Sequence, residues 1–173
     1  MRRALLVSLL VIALLPRESW PLDVGDSAPD FALANWDGQT VRLGDLRGKA
    51  VCVEFWASWC ATCAAALPAL DAVARRYRGA VVEFLAVNVD RDFGKASSFL
   101  ESHLPSPTLT LVRDPSAELL SRFGAPAMPA LYLIDASGVV RMVASGYTEK
   151  SIGELERMLR ELLESREGFD RRP

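Results

Sequence analysis

The sequence predicts an α/β fold in which one mixed sheet is covered by helices on both faces. Three observations carry that expectation. From Asp23 to about Leu163, apolar runs of strand length alternate with segments of helical periodicity. A strand pair with a Gly-containing turn closes the series, followed by a last amphipathic helix. No repeat or internal linker divides the 173 residues, so one domain suffices.

The elements follow in order. Asp37-Gly38 is a turn signal between Phe31-Ala32-Leu33 and Thr40-Val41-Arg42-Leu43, which predicts an added N-terminal β-hairpin. Ala50–Trp56 reads as a buried strand, β-branched and nearly continuous in apolar character. Leu67, Leu70, Val73 or Ala74, and Tyr77 recur at helical spacing, and Gly79 closes that helix. Residues 80–89 read as a second buried strand, 93–102 as a helix, 108–112 as a short strand and 116–123 as a helix ending at Gly124. Residues 131–134 and 139–144 flank Asp135-Ala136-Ser137-Gly138 as a hairpin. Ile152, Leu155, Leu159 and Leu162 form the apolar stripe of the last helix. The resulting organisation is an N-terminal segment 1–22, a domain at 23–165 and a solvated charged tail at 166–173, its charged run starting at Glu164.

Composition narrows the function. Half of the residues are hydrophobic and 24% charged, as in a globular domain, and the net charge of -2 offers no basic stripe for nucleic acid. Neither a P-loop nor a G-x-G-x-x-G pattern is present, so no cofactor is expected. Three cysteines, Cys52, Cys60 and Cys63, are too few for a disulfide scaffold, and the odd count leaves at least one thiol without a partner within the chain. A zinc site would need all three and the single His103 to converge from separate elements, so no metal is expected.

The N-terminus reads as an address. Arg2 and Arg3 precede an apolar run from Ala4 to Leu15, broken only by Ser8. As a helix it would be roughly 18 Å long against about 30 Å of bilayer hydrocarbon, so an export signal fits better than a membrane span. No small-x-small cleavage triplet precedes Pro16, and no lipobox cysteine occurs. Residues 1–22 are therefore a cleaved signal peptide or a short retained anchor touching the membrane.

The chemistry lies in Trp59-Cys60-Ala61-Thr62-Cys63. A C-x-x-C where a buried strand enters a helix puts both cysteines in the first helical turn, close enough to bond. Cys60 at the helix N-terminus gains thiolate character from the orphan N–H groups and the helix dipole. It reads as an exposed nucleophile, with Cys63 one turn deeper resolving the mixed disulfide. The alternative, half of a zinc site, wants a second cysteine pair that the sequence lacks.

Phe55-Trp56-Ala57-Ser58-Trp59-Cys60-Ala61-Thr62-Cys63 resembles the active-site segment of the thioredoxin superfamily, and most closely its exported TlpA/ResA-like branch. Gly25-Asp26-Ser27-Ala28-Pro29-Asp30-Phe31 is similar to that branch's G-x-x-A-P-D-F start. Val87-Asn88-Val89-Asp90 and Pro129-Ala130-Leu131-Tyr132-Leu133-Ile134-Asp135 continue the likeness, which covers about 24–163. The resemblance implies a thioredoxin fold and a redox disulfide between Cys60 and Cys63. It implies protein thiol or disulfide substrates, recharging by a membrane thiol transporter, and a place in the bacterial envelope that includes cytochrome c maturation.

Single residues gain meaning from the same resemblance. Pro129 matches the family's cis-proline, beside which the Met128 backbone would pair with an extended substrate. Glu54 stands where thioredoxins carry a buried acid behind the second cysteine, able to take the proton of Cys63. An outward-facing strand carboxylate is the alternative there. Trp59 would shield the cysteine and touch substrate, Trp56 would pack in the core, and Pro68 matches the proline within the active-site helix. Cys52 reads as a buried inert thiol and His103 as a loop residue without catalytic weight.

The chain also departs from the pattern. Ala66 replaces a glutamate that many ResA-like members carry three residues past the second cysteine, which counts against a dedicated reductant of apocytochrome c. Two other functions stay open. A peroxiredoxin-like peroxidase shares the A-P-D-F start but would want a threonine where Ala57 stands. A copper chaperone would need His103 beside the thiol pair.

Overall fold

In the computed structural model the backbone is described for residues 21–170 and the side chains for 21–165. Residues 1–20, most of the expected export segment, lie outside it.

Ala50–Trp56 forms β3, and all of it is buried. Such a strand needs a neighbour on each edge and cover on each face. It pairs in parallel with β4, Val82–Asn88, and antiparallel with β6, Ala130–Ile134. An N-terminal hairpin of β1, Ala32–Asn35, and β2, Thr40–Arg42, extends one side through β5, Thr110–Arg113. On the other side β7, Val140–Ser145, pairs with β6. The order is β2-β1-β5-β4-β3-β6-β7, a mixed sheet of the thioredoxin type.

Among the described residues four α-helices cover it: α1, Cys63–Arg76; α2, Phe93–His103; α3, Glu118–Phe123; and α4, Glu149–Asp170. Strand alternation decides which face each covers. Phe55 meets Phe123 of α3 and Tyr132 of β6, with ring centroids 5.2 and 6.0 Å away. On the opposite face Glu54 lines a cavity with Ala66 of α1 and Ile152 of α4, while Trp56 meets Phe99 of α2 at 5.3 Å. Helices therefore lie on both faces, with α1, α2 and α4 on the side of Glu54.

Several boundaries differ from the sequence reading. α3 begins at Glu118 rather than at 116, because the Asp114 carboxylate accepts the N–H groups of Glu118 and Leu120, each at 3.1 Å, and Ala117 takes a left-handed turn at φ 55°. His103 is the last residue of α2, not a loop residue, and stacks on Phe99. α4 continues to Asp170 through most of the expected tail. No proline interrupts that stretch and its Glu and Arg residues are good helix formers, so nothing stops the helix at Glu164.

The triple contact of Phe55, Phe123 and Tyr132 sits in the core with each side chain at most 1% exposed. Phe55→Ala should lower the unfolding free energy by about 3–5 kcal/mol, read from a denaturant midpoint shift at constant slope.

Candidate active site

β3 ends at Trp56, whose carbonyl accepts the N–H of Val89 at 3.1 Å, so the β3–β4 ladder persists to the edge of the sheet. The chain then turns through Ala57–Thr62 by short-range bonds: Cys60 N–H to Ala57 O at 3.1 Å and Cys63 N–H to Cys60 O at 3.1 Å. Cys63 is the first residue of α1, and Cys60 lies in the turn before it. The expectation that both cysteines share the first helical turn therefore holds for Cys63 alone. The approach to the helix is wound tighter, in i→i+3 turns, than an α-helix would be.

Cys60 and Cys63 form a disulfide, with Cα atoms 5.3 Å apart. Cys63 is fully buried and Cys60 is only 6% exposed. The expected exposure of Cys60 is thus not seen in the oxidised state, where its sulfur is turned inward to its partner and Thr62 Oγ1 lies 3.6 Å from it. Trp59 beside it is 68% exposed, an unusually open position for an indole.

Glu54 is 2% exposed, so the outward-facing alternative does not hold. It lines a cavity of about 10 Å³, close to the room one water needs, together with Ala66, Pro129, Leu131, Gly146, Tyr147, Ser151 and Ile152. Ala66 follows Cys63 by three residues and shares its helix face, which puts this carboxyl under the inner cysteine's side of α1. Burial pushes Glu54 up to about 8. Its Oε1 has no hydrogen-bond partner in the protein, which leaves that penalty uncompensated. Cys52, two residues earlier, is a fully buried free thiol pushed up by burial and then by the charge of Glu54.

The Met128–Pro129 bond is cis, and Pro129 immediately precedes β6. Because Ala130 pairs with Phe55, Pro129 stands at the end of the sheet from which the Cys60 turn emerges. Its carbonyl accepts the N–H of Gly146 at 2.8 Å, and Met128 is half-buried against the core. The fold thus gathers Glu54, Trp59, Cys60, Cys63, Met128 and Pro129 at one end of the sheet.

One group there had no role in the sequence reading. Asp90, 5% exposed and just past β4, accepts the Ser58 N–H through Oδ2 and the Ser58 hydroxyl through Oδ1, each at 2.8 Å. Oδ2 also accepts Asn88 Nδ2 at 2.8 Å, and Asn88 Oδ1 accepts the Asp90 N–H at 3.1 Å. The available signal was a buried strand running straight into Asn88-Val89-Asp90, two polar residues where the apolar pattern should simply stop.

Comparison with known proteins adds the following. The family model described as the AhpC/TSA family matches residues 24–143. The thiol-disulfide oxidoreductase ResA of Geobacillus thermodenitrificans is 34% identical over 133 residues, 77% of this chain and 75% of that protein. ResA of Bacillus subtilis is 28% identical over 137 residues, 79% and 75% of the two chains. Among solved structures, one assigned as a thiol:disulfide interchange protein DsbE from Chlorobium tepidum superposes with a TM-score of 0.76 at 34% identity, covering 82% of this chain and 99% of that one. The pneumococcal exposed lipoprotein thioredoxin of Streptococcus pneumoniae gives 0.64 at 33% identity, over 78% and 100%.

The state of Glu54 has a consequence for stability. Folded, it keeps its proton up to about pH 8, against an ordinary value of 4.5 that applies once the chain unfolds. Between these values the folded state binds more protons, so stability is greatest below the lower one and falls as pH rises through the upper one. Urea unfolding of the oxidised protein should show a loss of about 3 kcal/mol from this group between pH 5 and 8. Glu54→Gln should flatten that slope; an unchanged slope would show that the carboxyl is not protonated in the fold.

Proposed function

The chain is a thiol–disulfide oxidoreductase of the AhpC/TSA family, of its ResA-like kind, and on that premise we propose that it reduces disulfides of exported proteins through Cys60 and Cys63. The observation that carries this reading is the bond between these two cysteines at the mouth of α1, above a buried carboxyl that has no partner for its charge.

The reaction starts from the dithiol. The Cys60 thiolate, favoured by the N-terminal end of α1, attacks one sulfur of a substrate disulfide; the substrate's other sulfur leaves as a thiolate and takes up a proton. Cys63 then gives its proton to Glu54, which accepts it in the minor ionised form present near neutral pH, and attacks the Cys60 sulfur. The Cys60–Cys63 disulfide forms and the second substrate thiolate departs. A base poised near neutral pH suits that transfer: it takes the proton readily and returns it to solvent without a large barrier. Trp59 and the Met128–Pro129 segment would receive the substrate, the first by apolar contact and the second by strand-like backbone pairing.

Turnover needs an electron donor, for which a membrane thiol transporter acting on the same cysteine pair is the natural chemistry. Export through residues 1–22 would place the protein in the envelope, as a cleaved periplasmic product or anchored on the outer face of the membrane. Among the described residues no helix is long and apolar enough to cross a membrane. Apocytochrome c is one candidate substrate, although Ala66 in place of a helix glutamate argues for a broader set.

Direction is decided by the reduction potential. Equilibration with glutathione or dithiothreitol buffers should give a value near that of thioredoxin, about -270 mV; a value near -120 mV would make the protein an oxidant instead. Cys63→Ser should trap a mixed disulfide with substrate on Cys60, and Cys60→Ser should abolish trapping and turnover together.

A further inference from the structure

We propose that Asp90 is a positioning residue for the redox pair, and that its clamp on Ser58 stabilises the Cys60–Cys63 disulfide relative to the dithiol. The inference rests on the oxidoreductase reading of that pair.

Three donors converge on the two oxygens of Asp90: the Ser58 N–H, the Ser58 hydroxyl and the Asn88 amide, all at 2.8 Å. Both oxygens of Asp90 therefore serve as acceptors only, as a carboxylate's do. No cation forms an ion pair with it among the described residues. Its negative charge is thus held in the interior by hydrogen bonds alone, two of them to a single residue.

That residue sits in the turn that presents Cys60. Ser58 follows Ala57, whose carbonyl accepts the Cys60 N–H at 3.1 Å, so the segment between the strand and the cysteine is fixed at both ends. Cys63 is already held as the first residue of α1, which leaves Cys60 as the cysteine whose placement the turn must secure. Ring closure to a disulfide is favoured when the two sulfurs are held together before reaction, because less freedom is then lost on bonding. Fixing Ser58 therefore favours the oxidised form.

The charge acts in the same sense. An anion hydrogen-bonded to Ser58, two residues before Cys60, opposes build-up of a second negative charge on that sulfur, against the pull of the α1 N-terminus, and so withholds from the dithiol the stabilisation that a thiolate would give it. The equilibrium concerned is protein disulfide plus two glutathione thiols giving protein dithiol plus glutathione disulfide. Two electrons pass to the protein and two protons accompany them. Both effects of Asp90 hold this equilibrium to the left, which makes the protein a stronger reductant. A residue of purely architectural importance would stabilise both redox states alike and leave the equilibrium where it was.

The test uses the full chain in glutathione buffers at pH 7. Asp90→Asn keeps the size of the side chain and one acceptor oxygen while removing the charge. The equilibrium constant for reduction should rise about tenfold, a potential about 30 mV more oxidising. Ser58→Ala keeps the backbone bond and loses the hydroxyl bond, and should shift the constant in the same direction by about threefold. The gap in melting temperature between oxidised and reduced protein should narrow in both variants. Constants within twofold of the unmodified protein, with both redox states destabilised equally, would overturn the proposal. If Asp90→Asn does not fold, Ser58→Ala decides alone, and an unchanged constant there overturns it. Absence of any two-electron couple in the unmodified protein would instead remove the oxidoreductase reading, and the clamp's redox role with it.

Discussion

Burial of β3 on both faces governs the geometry of everything around the two cysteines. A strand with no exposed residue has its register set twice, by β4 on one edge and β6 on the other, and a slip of one residue would turn Glu54 and Phe55 to opposite sides. That register puts Phe55 against Phe123 and Tyr132, and it puts Glu54 beneath the helix that carries Cys63. It also brings Pro129 and Asp90 to the same end of the sheet from neighbouring strands. Cys60 occupies a short turn whose own bonds are few, and Cys63 opens the helix that follows it. Their relative position is inherited from the strand before them and the helix after them.

The interior acids show how surroundings settle the work of chemically similar groups. Asp71 on α1 accepts the N–H of Thr108 at 2.5 Å and of Leu109 at 3.3 Å, fastening the active-site helix to the segment that leads into β5. Asp114 satisfies the first N–H groups of α3. Asp90 holds Ser58. Each accepts backbone N–H groups of a loop or helix start that would otherwise be orphaned, a structural use of charge. Glu54 differs in having an unpartnered oxygen and mostly apolar walls, so burial raises its proton affinity. One end of the sheet therefore holds a carboxyl with an unpartnered oxygen and another whose lone pairs are committed to holding the loop.

Much of this could be read along the chain. Ala50–Trp56 appears at its predicted limits, because a continuous β-branched and aromatic run of strand length admits few other structures. The hairpin around Asp135-Ala136-Ser137-Gly138 and the helix stop at Gly124 were visible through turn chemistry that needs only neighbouring residues. The C-x-x-C pair was visible through spacing. Less legible were the start of α3, displaced by a cap from Asp114, and the end of α4, where a charged run resembled a tail and is helical to Asp170.

The sequence by itself determined the order and kind of most elements, the cysteine pair and its place at a strand–helix junction. These depend on periodicity and spacing, which are properties of consecutive residues. Only the tertiary structure decided that Glu54 points under α1 rather than to solvent, that Cys60 is nearly covered when oxidised, and that Asp90 grips Ser58 from 32 positions away. Proton affinity, exposure and hydrogen-bond partners depend on which distant groups the fold brings together, and no local pattern along the chain contains that information.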